Sequence, residues 1–198
     1  MKWDIIGKQL IFEPGDIVCV HTKGLISRLI RKFTRSKGEE PTIFNHVGIM
    51  VHRIHLVEAL RRVYVNRLTR YNTPSCEILI ARRKGLSENQ KTILLDKAFD
   101  YVGRDYGFLK ILGHSLDCFL TKIFKSEISF FRTKVFKMDR YPICSWVVAW
   151  CYDKIGINFG VEKERCQPDD IADDILQHNR DKYEILFATD SDLRVFPG

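Results

Sequence analysis

The chain has 198 residues, 45% of them hydrophobic and 29% charged, with a net charge of +7. That length is most simply one domain, spanning 1–198, able to bury roughly 70% of its unfolded surface, and the composition excludes disorder. No apolar run reaches about 18 residues, which excludes a spanning helix. The opening Met1-Lys2-Trp3-Asp4-Ile5-Ile6-Gly7-Lys8 shows no basic stretch followed by an apolar one, so no signal peptide is expected and the expected location is cytoplasmic.

The charge is unevenly placed. Residues 162–198 hold ten acids against five bases, a net −5, which leaves +12 on residues 1–161. A basic body favours an anionic partner such as an envelope polymer or lipid head groups, although most basic runs are solvated faces. No recognisable nucleic-acid motif accompanies the charge, which argues against that partner. The six cysteines, at 19, 76, 118, 144, 151 and 166, are expected to be free thiols. There is no Cys-x-x-Cys pair, and His52 and His55 in a strand-turn context are not expected to converge on a metal, so neither metal nor cofactor is predicted.

In chain order, Glu13-Pro14-Gly15-Asp16 is a turn signal before the buried strand Ile17-Val18-Cys19-Val20. Leu25, Ile26, Leu29, Ile30 and Phe33 repeat at helical spacing with arginines and a lysine between them, predicting a short basic amphipathic helix, and residues 36–44 a polar loop. Three or four strands follow, at about 46–51, 55–60, 63–68 and 76–82. Ser87 and Gln90 form a capping-box signature for a helix ending near Gly103.

Residues 106–140 are rich in Phe and Lys, with a helix expected over about 107–123 and an irregular segment after it. This segment suits a core-covering helix with a surface loop, and equally a pocket wall or a lipid-touching patch. A helix opens at Cys144 and ends at Gly156, a second opens at Gln167-Pro168-Asp169-Asp170-Ile171, and Tyr183-Glu184-Ile185-Leu186-Phe187-Ala188 is a final strand. The elements belong to one α+β domain.

Two segments carry the chemistry. Asn45-His46-Val47-Gly48-Ile49 opens a strand on a histidine, and Cys144-Ser145-Trp146-Val147-Val148 opens a helix on a cysteine. A thiol in a first helical turn meets unpaired backbone N–H groups and the positive dipole end, which favour the thiolate and later an oxyanion. Helical spacing puts Cys144, Val148, Cys151 and Ile155 on one stripe facing the sheet, while Cys19 and Cys151 read as packing residues.

Strand alternation puts His46, Gly48 and Met50 on one face. If the hairpin turns over His52-Arg53-Ile54, Val51 pairs with His55 and Gly48 with Glu58, bringing Glu58 onto the face of His46. A two-residue turn at Arg53-Ile54 would put Glu58 on the opposite face.

On Pro14-Gly15-Asp16-Ile17-Val18, Asn45-His46-Val47-Gly48-Ile49, Val57-Glu58-Ala59, Cys144-Ser145-Trp146-Val147-Val148 and Pro168-Asp169-Asp170-Ile171, the chain resembles the NlpC-type cell-wall peptidases of papain-like fold. The cysteine helix follows the strands here. The order therefore looks like the circularly permuted branch, which includes YiiX-like bacterial proteins and relatives of lecithin retinol acyltransferase. The resemblance implies a Cys144 nucleophile, a His46 base and Glu58 as polar third member. It also implies a small curved antiparallel sheet with the nucleophile helix packed against it.

The 106–140 segment has no counterpart in that pattern and reads as an insertion. An oxyanion side chain is not assigned, Tyr141 being a candidate only by proximity. The expected function is that of a cysteine peptidase or amidase acting on a cell-wall-type peptide or another small amide. Two alternatives are a lipid acyltransferase or lipase using the same three residues, and a non-catalytic module binding an anionic polymer.

Overall fold

The structure, a computed structural model, describes residues 11–22, 44–106 and 142–189. The expected basic helix near 25–33, Cys118, Tyr141 and nearly all of the 106–140 insertion lie outside the described residues.

Six strands form one antiparallel sheet: β1 Ile17–Thr22, β2 His46–His52, β3 His55–Ala59, β4 Val63–Arg67, β5 Cys76–Arg83 and β6 Tyr183–Ala188. Their order is β4-β3-β2-β1-β5-β6. Among the described residues three helices accompany it: α1 Glu88–Tyr101, α2 Cys144–Asp153 and α3 Pro168–Asp173, the last running into a wider turn at Asp174–His178. The protein is therefore α+β, as expected. No described helix is long and apolar enough to cross a membrane.

The central strands are apolar on both sides because both sides are covered. Ile17, Cys19, Val47, Ile49, Val57 and Leu79 pack under α1, α2 and α3, against Leu94, Ala98, Val147, Val148, Cys151 and Ile171. Val18, Val20, Met50, Leu56, Ile78 and Ile80 meet Phe12, Leu68, Tyr71 and Phe187 on the other side. A strand buried on two faces loses the apolar–polar alternation that would mark a half-solvated one.

The Ser87–Gln90 capping box is formed. Regular bonding in α2 stops at Asp153, and the chain leaves through Gly156 (φ 75°). There Gly156 N–H donates to the Asp153 carbonyl and Ile157 N–H to that of Tyr152, a Schellman closure needing a left-handed residue.

The β2–β3 hairpin departs from expectation in an instructive way. The turn has two residues, Arg53 and Ile54, and His52 pairs with His55; Val51 does not. Yet Gly48 still pairs with Glu58, because the register shifts between Met50 and His52. Val51 is the extra residue of a bulge, and one extra residue restores the parity that the shorter turn would have reversed.

Candidate active site

His46 is the first residue of β2, and its backbone is held in place by its neighbours. The Asn45 amide accepts from Thr22 N–H (3.3 Å), and its Nδ2 donates to the Thr22 carbonyl (3.1 Å) and lies 3.2 Å from His21 Nδ1. Asn45 thus clamps the end of β1 to the start of β2.

At the other end of β2 the Pro14-Gly15-Asp16 turn does similar work. Gly15 N–H donates to the Met50 carbonyl (2.9 Å), Met50 N–H to that of Asp16 (2.8 Å), and the Asp16 carboxylate receives two Arg82 donors at 2.8 Å. Both motifs position β2.

Glu58 lies opposite Gly48 and is wholly buried. A Cβ at Gly48 would stand 2.7 Å from Leu56 Cδ1 and 3.3 Å from Glu58 Cβ, so glycine leaves the lane through which the glutamate reaches His46. His46 Nε2 is 2.6 Å from Glu58 Oε2. Cys144 hydrogen-bonds the same imidazole, so His46 stands between the thiol and the carboxylate. The three residues singled out in sequence, far apart in the chain, thus form one connected line.

The start of α2 suits an anion. Its N-cap, Ile143, offers no side-chain acceptor, so the first-turn N–H groups are not satisfied by a cap. The Cys144 sulfur is reached by the Ser145 and Val47 backbone N–H groups and by the Tyr106 hydroxyl.

Burial alone would raise the Cys144 thiol. The His46 hydrogen bond and charge, joined by the two amides, outweigh it and hold the thiol below its ordinary value. Burial likewise opposes charge on His46, but Cys144 and Glu58 raise it to about 10. For Glu58, burial raises and His46, Tyr71 and Arg70 lower, with a net lowering. All three shifts favour the charged forms: thiolate, imidazolium and carboxylate. The described Cys19, Cys151 and Cys166, by contrast, are pushed up by burial, and all five described cysteines are free.

Sequence reasoning missed four contributors. Tyr106 ends a segment stitched to the β4 edge: Gly103 N–H donates to the Val63 carbonyl, Val63 N–H to that of Arg104, and Tyr106 N–H to that of Arg61. Only this non-local pairing brings Tyr106 to the sulfur, and no local signal marks it. Asn66, Arg70 and Tyr71 surround Glu58: Asn66 Nδ2 and Arg70 Nη1 donate to Oε1 (2.9 and 3.1 Å), and the Tyr71 hydroxyl to Oε2. Their closeness in sequence, behind a strand carrying a buried acid, was the available signal.

His52 and His55, as a cross-strand pair, bring their rings to 5.8 Å. Among the described residues no group of three or more His, Cys, Asp or Glu is placed to hold a metal ion.

No protein-family model matches the chain, and no curated protein matches it significantly. Among solved structures it is similar to the crystal structure of metalloprotein YiiX (DUF1105) from Escherichia coli O157:H7. The identity is 22%, the TM-score 0.52, and the match covers 75% of this chain and 69% of that one. At that identity the likeness speaks for the fold.

Proposed function

We propose that this protein is a cysteine hydrolase of the permuted papain-like, NlpC-type kind, which cleaves an amide bond through a thiol acyl-enzyme. The observation that carries the reading is the unbroken hydrogen-bonded line from Cys144 through His46 to Glu58, at the start of a helix that follows its strands in the chain. The fold-level likeness to YiiX is compatible with it.

Cys144 as thiolate attacks the substrate carbonyl, forming a C–S bond and an oxyanion. The N–H groups at the start of α2 and the Tyr106 hydroxyl, which serve the sulfur at rest, are the donors for that oxyanion. As the tetrahedral species collapses, the C–N bond breaks and imidazolium His46 gives its proton to the leaving amine. Neutral His46 then takes a proton from water, which attacks the thioester and releases a carboxylic acid and the free thiolate. Glu58 stays ionised throughout and fixes the ring.

A cell-wall-type peptide or another small amide is the proposed substrate class. The test is turnover of short peptide amides, with mass spectrometry of the protein trapped during reaction. Wild type should carry an acyl adduct on Cys144, and Cys144→Ala should lose both adduct and turnover. Turnover undiminished in that variant would end the reading.

A further inference from the structure

A carboxylate with no solvent exposure is costly unless several donors face it, and removing donors drives it towards the neutral acid. Glu58 meets this requirement with four. His46 Nε2 and the Tyr71 hydroxyl serve Oε2, while Asn66 Nδ2 and Arg70 Nη1 serve Oε1. Three of the four come from the six residues 66–71. Asn66 stands on β4, diagonal to Glu58, whose direct partner is Tyr64. Arg70 and Tyr71 sit on the single turn Leu68–Tyr71 that folds back over β3. Tyr71 is buried beside the imidazole, the two rings 6.1 Å apart, and the Arg70 guanidinium lies 5.5 Å from the centre of the Tyr71 ring.

The charges around the site therefore alternate: Cys144 negative, His46 positive, Glu58 negative, Arg70 positive. The neutral hydroxyls of Tyr71 and Tyr106 fill the remaining directions.

We infer that Arg70 and Tyr71 are positioning residues that keep Glu58 a carboxylate at acidic pH, and so set the lower pH limit at which Cys144 remains a thiolate. This rests on the nucleophile reading above. Arg70 acts through charge, because its guanidinium is the one cation besides His46 paired with Glu58 among the described residues. Tyr71 acts through a single O–H donor. Without either, Glu58 takes a proton at higher pH, the support for imidazolium His46 weakens, and the sulfur recovers its proton.

The readout is the rate of Cys144 alkylation by iodoacetamide against pH, resolved by peptide mass so that other thiols do not contribute. Wild type should show an acid inflection well below that of an ordinary thiol. Arg70→Gln should move it up by about 0.5–1 unit, the full effect of a close charge being reduced by the exposure of Arg70. The shift should shrink in high salt. Arg70→Lys, which keeps the charge, should restore most of the wild-type profile, and Tyr71→Phe should move the inflection up without salt dependence. A purely structural role would alter melting temperature and leave the inflection in place. A depressed wild-type inflection that Arg70→Gln leaves unmoved would overturn this inference and spare the nucleophile. A wild-type profile with its inflection at an ordinary thiol value would overturn both.

Discussion

At the scale of single residues, the difference between Cys144 and the other thiols is one of neighbours and not of burial. Cys19 and Cys151 are as deeply placed, yet burial pushes their thiols up, even with the Lys97 charge opposing it at Cys151, whereas hydrogen-bonded His46 turns the balance at Cys144. The sign of the pH dependence follows. His46 is raised from 6.5 to about 10, so it keeps its proton through neutrality and gives it up only as pH climbs through about 10. Cys144 is lowered, so it keeps its negative charge as pH falls below the ordinary thiol value.

The ion pair thus persists over the whole interval between the two. Alkylation of Cys144 should fall less steeply from pH 8 to 6 than that of an ordinary thiol, which slows by up to roughly 100-fold. Turnover should decline above about pH 10, as imidazolium His46 is no longer there to protonate the leaving amine. Rate-against-pH profiles of wild type check both limbs, and an ordinary thiol slope between pH 6 and 8 would contradict the assignment.

At the scale of elements, the site depends on one bulge. Composition and spacing marked all six strands and all three described helices to within a few residues, since each is short, apolar and bounded by turn or cap signals. They did not mark the bulge at Val51, because a β-branched residue between Met50 and His52 reads the same whether it pairs or is squeezed out. The pairing of Gly48 with Glu58 was expected from a three-residue turn and arises instead from a two-residue turn plus that bulge. Deleting Val51 tests this directly. The shortened β2 should run straight from the Met50–Leu56 pair to the His52–His55 pair and keep Gly48 opposite Glu58, so Glu58 stays on the face of His46 without the bulge. We expect turnover and low-pH Cys144 alkylation to be retained, with stability lowered by about 0.5–3 kcal/mol for the lost Val51 side chain. Chemical denaturation and alkylation rates measure the two effects. A variant that loses low-pH alkylation would show that the bulge does more than correct the parity of the two-residue turn.

At the scale of the whole molecule, α2 is the part that two distant stretches of chain must agree on. The Ser145 hydroxyl donates to the Cys166 carbonyl (2.6 Å) and Trp146 Nε1 to that of Glu164 (3.0 Å), which fixes the first turn against the approach to α3. The Tyr152 hydroxyl donates to the Gly15 carbonyl (2.6 Å), which fixes the far end against the turn that also holds β2. None of these bonds is legible in sequence, because each joins a side chain to a backbone carbonyl whose position only the assembled fold defines.

The two ends are separable by mutation. Ser145→Ala and Tyr152→Phe each delete one hydroxyl and leave one buried carbonyl unpaired, a cost of about 1–3 kcal/mol apiece. Their effects on Cys144 should differ, since Ser145 supplies an N–H to the sulfur from the turn its hydroxyl holds in place, while Tyr152 lies two helical turns away. Ser145→Ala should therefore lower both stability and the Cys144 alkylation rate, the latter several-fold. Tyr152→Phe should lower stability by a similar amount with the rate unchanged. Equal losses of rate in the two variants would mean that the sulfur responds to the helix as a rigid body and not to the anchoring of its first turn.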